Sequence, residues 1–385
     1  MKKLILTYFI SLIVLTIQSQ TFNSFYSSII ESSSQSNLLN DLKTFENFGI
    51  KNVGSSKLTD AENWISSRYK SLGYSDIVLQ PFTYSAGTSN NIIITKTGTV
   101  YPNTYVIIDG HYDTISGAGT NDNGSGTVLI MELARLLKDV DTEYSIKFIH
   151  FSGEEDGLIG SKYYVKNTVV PENLDIRLVL NIDEVGGISG INNDTIVCER
   201  DESKPKSNNE ASNIYTNELA KLIELYSDLK TEIAHAYNSD YMPFEDHGEI
   251  VTGLFEKNET PHAHTSTDLL KNMDVPYLYQ VTKGTLGAIL EFTNAYDTLS
   301  EKETIELNKL INISTHSDQT ISVSLVDFFK QTIDFKLIDM LGKTVYKNTF
   351  EKFPKTITTE RLSISQYFAV LSIDNKRFIK RIIIE

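Results

Sequence analysis

Apolar positions fall in two rhythms along this chain. Over residues 38–48 and 61–72 they recur as the stripe of an amphipathic helix, the second stretch preceded by Thr59-Asp60 and stopped at Gly73. Residues 77–84 and 91–96 are short β-branched runs of the strand type. Residues 105–109 carry Val106-Ile107-Ile108 at their centre, as in a strand buried on both faces. A helix over 127–137 follows Asn123-Gly124-Ser125-Gly126 and sets Leu129, Leu133, Leu136 and Leu137 on its apolar side. The alternation continues with a strand over 145–151, a helix over 157–166, a strand over 176–182, a helix over 212–229, a strand over 250–255 and a closing helix over 277–296. Strands separated by helices predict an α/β domain, a mostly parallel mixed sheet flanked by helices on both faces.

After about residue 300 the texture changes. Short strands are predicted over 321–325, 335–339, 344–346, 367–371 and 378–382, with turns over 341–343 and 374–376. They form a small all-β C-terminal domain, residues 311–385. At the other end, Lys2 and Lys3 precede an apolar run over 4–17, and residues 1–20 hold no acidic group. That is a secretory signal peptide, too short to span a bilayer, with cleavage near Ser19 or Gln20. The main domain is then 21–300, and no membrane span is expected in the mature protein.

The 385 residues carry a net charge of −15, which argues against a nucleic-acid partner. Cys198 is the single cysteine, so no intrachain disulfide can form; beside Glu199 and Asp201 it lacks a base and reads as structural. The polar, aperiodic stretch 201–210 reads as a surface loop with no assigned function.

Five potential metal ligands occupy five short segments: His111, Asp122, Glu155, Asp183 and His264. Two imidazoles and three carboxylates can hold a pair of divalent ions. His111, Glu154, Glu155 and Asp183 all follow predicted strands, and ligands of such sheets gather at the strands' carboxyl ends. Neighbouring Glu154 and Glu155 point in different directions, so one can bind metal while the other faces a substrate water. In His111-Tyr112-Asp113 the alternate side chains share a side, letting Asp113 orient the imidazole or a neighbouring ligand. Residues 121–126 lack the acidic spacing of an EF-hand and the Lys of a phosphate loop.

Taken together, residues about 40–300 resemble an M28 metallopeptidase of the aminopeptidase type, with its zinc-exopeptidase fold. The resemblance rests on His111-Tyr112-Asp113, Asn121 through Gly126, Gly153 through Ser161, Asn181-Ile182-Asp183 and His264-Thr265 with Asp268. It implies two zinc ions bridged by Asp122, with His111 and Asp183 on one and Glu155 and His264 on the other. It makes Glu154 the general base, Asp113 the partner of His111, and peptides or proteins the substrates. His264 is preferred to His262 because Thr265 and Asp268 follow it in register. Asp240 is implied as an outer support, Tyr237 or Tyr241 as an oxyanion donor, and His150 as a packed core residue. Two alternatives stand beside hydrolysis: a glutaminyl cyclase-like acyltransferase on the same fold, and a non-catalytic binding domain.

The C-terminal domain resembles the type IX secretion sorting domain of Bacteroidetes, on residues 335–343, Leu362, Ile364, Tyr367-Phe368 and Lys380-Arg381-Ile382-Ile383. Gln366 stands where that family has Gly. The resemblance implies the type IX secretion machinery as a partner, and export through the periplasm to the cell surface or medium. An accessory β-sandwich binding carbohydrate or protein is the alternative.

Overall fold

The structure is a computed structural model describing residues 22–236, 238–297, 311–316, 320–325, 333–339, 344–350, 355–358, 362–363, 365–373 and 376–384. The signal peptide expected over 1–20, the two C-terminal turns and Tyr237 fall wholly or partly outside the described residues. The chain divides into two compact units, Met1–Tyr296 and Asp297–Glu385.

In the first unit, helices α1 (Ser24–Ile30), α2 (Gln35–Asn47) and α3 (Ser56–Ser71) precede strands β1 (Ile77–Tyr84), β2 (Gly87–Lys96) and β3 (Tyr101–His111). Helix α4 (Gly124–Leu137), the short β4 (Asp141–Thr142) and β5 (Tyr144–Phe151) follow. Then come α5 (Ile159–Tyr164), running through a π turn (Val165–Val169) into α6 (Val170–Glu172), and β6 (Asp175–Ile182). The unit ends with β7 (Thr195–Arg200), α7 (Asn209–Tyr226), β8 (Lys230–His235), α8 (Met242–His247), β9 (Val251–Glu256), α9 (Val275–Phe292) and β10 (Ala295–Tyr296), which pairs with β4.

Eight strands form one sheet in the order β1-β2-β5-β3-β6-β9-β7-β8. Its centre, β5-β3-β6-β9, is parallel throughout. Antiparallel pairing adds β2 and β1 on one side and β7 on the other, where β8 closes the edge parallel to β7. Alternation along the central strands divides the core between the two faces. Val106 and Ile108 face the helical layer of α2, α4 and α9, while Ile107 packs with Ile149, Val179 and Phe244 on the opposite side. Every residue of α4 except Arg135 is buried, because the helix lies between sheet and further helices. Burying each leucine of that helix contributes about 1.5–3 kcal/mol.

Several boundaries differ from the periodicity for local reasons. Helix α3 starts at Ser56, five residues before the apolar stripe suggests, since the Ser55 hydroxyl accepts the Leu58 N–H. The helix expected from Gly157 begins at Ile159, after Leu158 at φ 61°. The closing helix stops at Phe292; Asn294 takes φ 48° and the chain turns into β10.

Among the described residues, the second unit is built of β-strands. Strands β11 (Ile311–His316), β12 (Thr320–Leu325) and β15 (Lys355–Thr358) form one antiparallel sheet. Strands β13 (Ile333–Asp339), β14 (Thr344–Phe350), β16 (Ser365–Ile373) and β17 (Lys376–Ile384) form another in the order β14-β13-β16-β17. Ile321, Val323, Phe335, Leu337, Ala369 and Leu371 are fully buried in its core.

Candidate metal centre

The parallel strands deliver the acidic and imidazole groups to one edge of the sheet. His111 closes β3, Glu154 and Glu155 follow β5, Asp183 follows β6, and His264 lies in the turns after β9. Asp122 sits two residues before α4, in the connection from β3. Gly126, at the start of α4, permits the close approach, since a Cβ there would meet the Ile182 carbonyl oxygen at 2.4 Å.

Asp122 lies between the two imidazoles. Its Oδ1 is 3.3 Å from His111 Nε2, and its Oδ2 is 3.1 Å from His264 Nε2. His111 Nε2 is also 3.4 Å from Asp183 Oδ1 and 3.9 Å from Glu154 Oε2. His264 Nε2 is 2.9 Å from Glu155 Oε2. His111, Asp122 and Glu155 each offer one atom within 4.8 Å of the others. The far nitrogen of His111, Nδ1, donates to the Asp113 carbonyl at 3.1 Å, which fixes the ring so that Nε2 is aimed into the cluster.

The His111 side of the cluster fits a metal better than it fits a set of hydrogen bonds. Two ligands of a tetrahedral zinc stand roughly 3.3–3.4 Å apart when each bond is about 2.0–2.1 Å. The contacts of His111 Nε2 match that edge, and they are long for N–H···O hydrogen bonds, which run to about 3.2 Å. Asp183 Oδ1 and Glu155 Oε1 are buried with no hydrogen-bond partner. Mixed imidazole and carboxylate donors suit zinc.

The electrostatics point the same way. Burial, then Asp240, Asp183 and Asp113, push Glu154 up to about 10 against the pull of His111. Burial and Asp122 push Glu155 up to about 8. Burial opposes charge on His111, but Asp183, Glu154 and Asp122 outweigh it and lift the imidazole well above its ordinary value. The hydrogen bond that His264 donates to Asp122 lifts the imidazole to about 9. Burial would raise Asp122, yet the two imidazoles hold it below the usual carboxylate range. So many acids gathered out of water call for a cation.

A second layer holds the ligands. The Ser239 hydroxyl donates to Asp183 Oδ2 at 2.7 Å. Asp113 Oδ1 accepts the Glu154 N–H at 3.3 Å and lies 3.8 Å from His111 Nδ1, so its carboxylate serves the Glu154 backbone more than the imidazole. Asp268 accepts the N–H groups of Asn121 and Asp122 at 2.8 and 3.0 Å. Glu256 accepts from Asn121 Nδ2 and from the Gly187 and Thr260 N–H groups. Lys51, fully buried, donates to the carbonyls of Ala118, Gly49 and Phe45 and lies over the Phe45 ring. Sequence reasoning missed Glu256 and Lys51. The acidic end of strand β9 was a signal for the first; Lys51 grips Gly49 and Phe45 nearby, but its contact with Ala118 crosses a long stretch of chain that no local pattern marks.

Of the two histidines after β9, His264 reaches Asp122 and Glu155, while His262 Nδ1 pairs with the Thr267 hydroxyl at 2.8 Å. The His264 side chain is 57% exposed against 3% for Glu155, so the cluster opens to solvent on that side. Asp240 is fully buried, neither oxygen has a hydrogen-bond partner, and burial pushes its carboxyl up to about 7. Tyr241 is buried in the core with Phe244 and Val251, and its phenol serves Glu199. His150 is fully buried on β5 and pairs with the Tyr69 hydroxyl at 2.9 Å.

Residues 91–289 match the family model described as peptidase family M28, and residues 307–385 match that of the secretion system C-terminal sorting domain. Aminopeptidase YwaD of Bacillus subtilis (strain 168) is 30% identical over 222 residues, 53% of this chain. The alignment covers 45% of that relative, so the chain spans under half its length. Among solved structures, the LapA aminopeptidase of Legionella pneumophila gives a TM-score of 0.64 at 20% identity, over 77% of this chain and 81% of that one. A glutaminyl cyclase of Macrostomum lignano gives 0.63 at 14% identity, over 71% and 94%. The fold is therefore shared by proteins named for two different reactions, and the site must choose between them.

Proposed function

The chain belongs to peptidase family M28, and on that premise we propose that it is an exported di-zinc aminopeptidase releasing N-terminal residues from peptides. The observation that carries this reading is Asp122, one carboxylate oxygen to each imidazole. His111 and Asp183 would hold one ion, His264 and Glu155 the other, and Asp122 both. Bound there, zinc would polarise a peptide carbonyl and bring the pKa of water towards neutrality.

Glu154 is the group left to move protons. Its Oε2 lies 3.9 Å from His111 Nε2, beside the ligands. Cations beside it would offset the burial that holds its proton, and its carboxylate then takes the proton of the attacking water and returns it to the departing amine. Asp113 positions Glu154 through the main-chain N–H. The surplus of carboxylates favours a substrate whose free ammonium group lies beside them. Aminopeptidase, rather than another exopeptidase, follows the names of YwaD and LapA. The sorting-domain match supports export by the type IX secretion machinery, which would recognise the C-terminal unit.

The test is a panel of aminoacyl chromogenic amides, with and without a chelator, run beside a Gln-initiated peptide. Chelator-sensitive release of the amide is expected. Cyclisation of the Gln peptide, with the amides left intact, would replace this reading by the cyclase.

A further inference from the structure

The polar segment after β7, in which the sequence offered no function, meets α8 where Glu245 lies beside Asp201 and Ser203. We propose that Glu245, Asp201, Asn208 and Asn209 form a calcium site that pins this segment to α8.

Glu245 is fully buried, and neither carboxylate oxygen has a hydrogen-bond partner. Ser203 and Asp201 stand near enough to pull on that carboxyl as hydrogen-bond partners, without well-formed bonds to it, and Asp246 adds a further negative charge. The Ser203 hydroxyl donates elsewhere, to the Lys204 carbonyl at 3.4 Å. Asp201, 1% exposed, accepts the Ser203 N–H on Oδ1 and Asn208 Nδ2 on Oδ2, each at 2.7 Å. Each of those oxygens keeps a second lone pair.

Asn208 supplies an observation independent of the acids. It is 4% exposed, and its Nδ2 donates to both Asp201 and the Glu249 carbonyl, at 2.7 and 2.6 Å. Two acceptors on the nitrogen fix which way the amide faces, and Oδ1 is left buried without a donor. Asn209 Oδ1 is buried without a donor as well. Arg200, the basic residue ending β7, is committed to Glu202 and Asn213.

A proton shared by Glu245 and Asp201 would satisfy one oxygen. Burial, with Asp201 beside it, does push the Glu245 carboxyl up to about 7. That proton would leave both asparagine oxygens bare, whereas a cation takes all of them at once. Uncompensated buried carboxylates and amides are costly. The donors are all oxygen, with no imidazole or thiolate among them, which selects a hard cation and favours calcium over zinc. Helix α8 begins three residues after Ser239, the partner of Asp183. An ion here would therefore steady the segment that supports the metal centre without joining it. The proposal does not rest on the aminopeptidase reading.

The experiment uses full-length, zinc-loaded protein dialysed free of calcium. Calorimetric titration with calcium chloride, with the melting temperature followed in parallel, should show one ion per chain and a rise of several degrees. Glu245→Gln and Asn208→Leu should each abolish the calcium-induced rise. Glu245→Gln should keep its zinc and melt no lower than the wild type in calcium-free buffer, because it removes an unpaired buried charge. Absence of heat and of any melting shift up to about 10 mM calcium, beyond the range of weak extracellular calcium modules, would overturn the proposal. So would a calcium response that survives in both variants.

Discussion

Asp268 holds the backbone on which Asp122 rides: its two carboxylate oxygens accept the N–H groups of Asn121 and Asp122, at 2.8 and 3.0 Å. The carboxylate proposed to bridge the two ions is thus aimed by a residue four positions beyond His264. Asp268→Ala should leave the fold intact and weaken metal binding by about 10–100-fold, the usual effect of losing a ligand's support. Zinc retained after dialysis measures it; wild-type retention would show that Asp122 needs no such hold.

Binding of zinc should release protons. His264 is lifted to about 9 and Glu155 to about 8, so both carry protons at neutral pH that a metal must displace. Raising the pH removes that competitor. Apparent zinc affinity should therefore climb between about pH 6 and 9 and level off above, with proton release visible as buffer-dependent heat. An affinity flat across that window would contradict the assignment of these two groups as ligands.

Lys51→Met should destabilise the first unit by about 1–3 kcal/mol, since it takes the ammonium donor from the buried Ala118 carbonyl and the half-buried Gly49 carbonyl. Denaturant melts of the two proteins give the difference. An unchanged midpoint would mean that the carbonyls find other partners.

Much of this was legible beforehand, for identifiable reasons. Parallel strands buried on both faces read as plain apolar runs, so β3, β5, β6 and β9 stood out, and with them the edge that gathers His111, Glu154, Glu155 and Asp183. Strand β8 did not, because five of its six residues are exposed and the sixth is half-buried, so no alternation marks it. Helices α1 and α8, with seven and six residues, are too short for a stripe. Lys51 reaches Ala118 and Glu256 reaches Asn121 across long sequence separations, which no local pattern carries. Asp113 stood in a motif, yet which of its atoms meets His111 is decided by the turn: the carbonyl does, and the carboxylate is freed for Glu154.

Deleting residues 311–385 should keep the enzyme inside a host that carries the type IX machinery, with the first unit folded and active in extracts. Fractionation of cells and medium reads this directly. A truncated chain that reaches the medium at full yield would remove the sorting role from the C-terminal unit.

The most direct test counts zinc and turnover in one preparation of Glu154→Gln. Two zinc ions per chain, with peptide hydrolysis reduced by about 10²–10⁴-fold, are expected if Glu154 moves the proton and binds no metal. Two ions with near-wild-type hydrolysis would contradict its role as base, and a single ion in the wild type would contradict the shared carboxylate of Asp122.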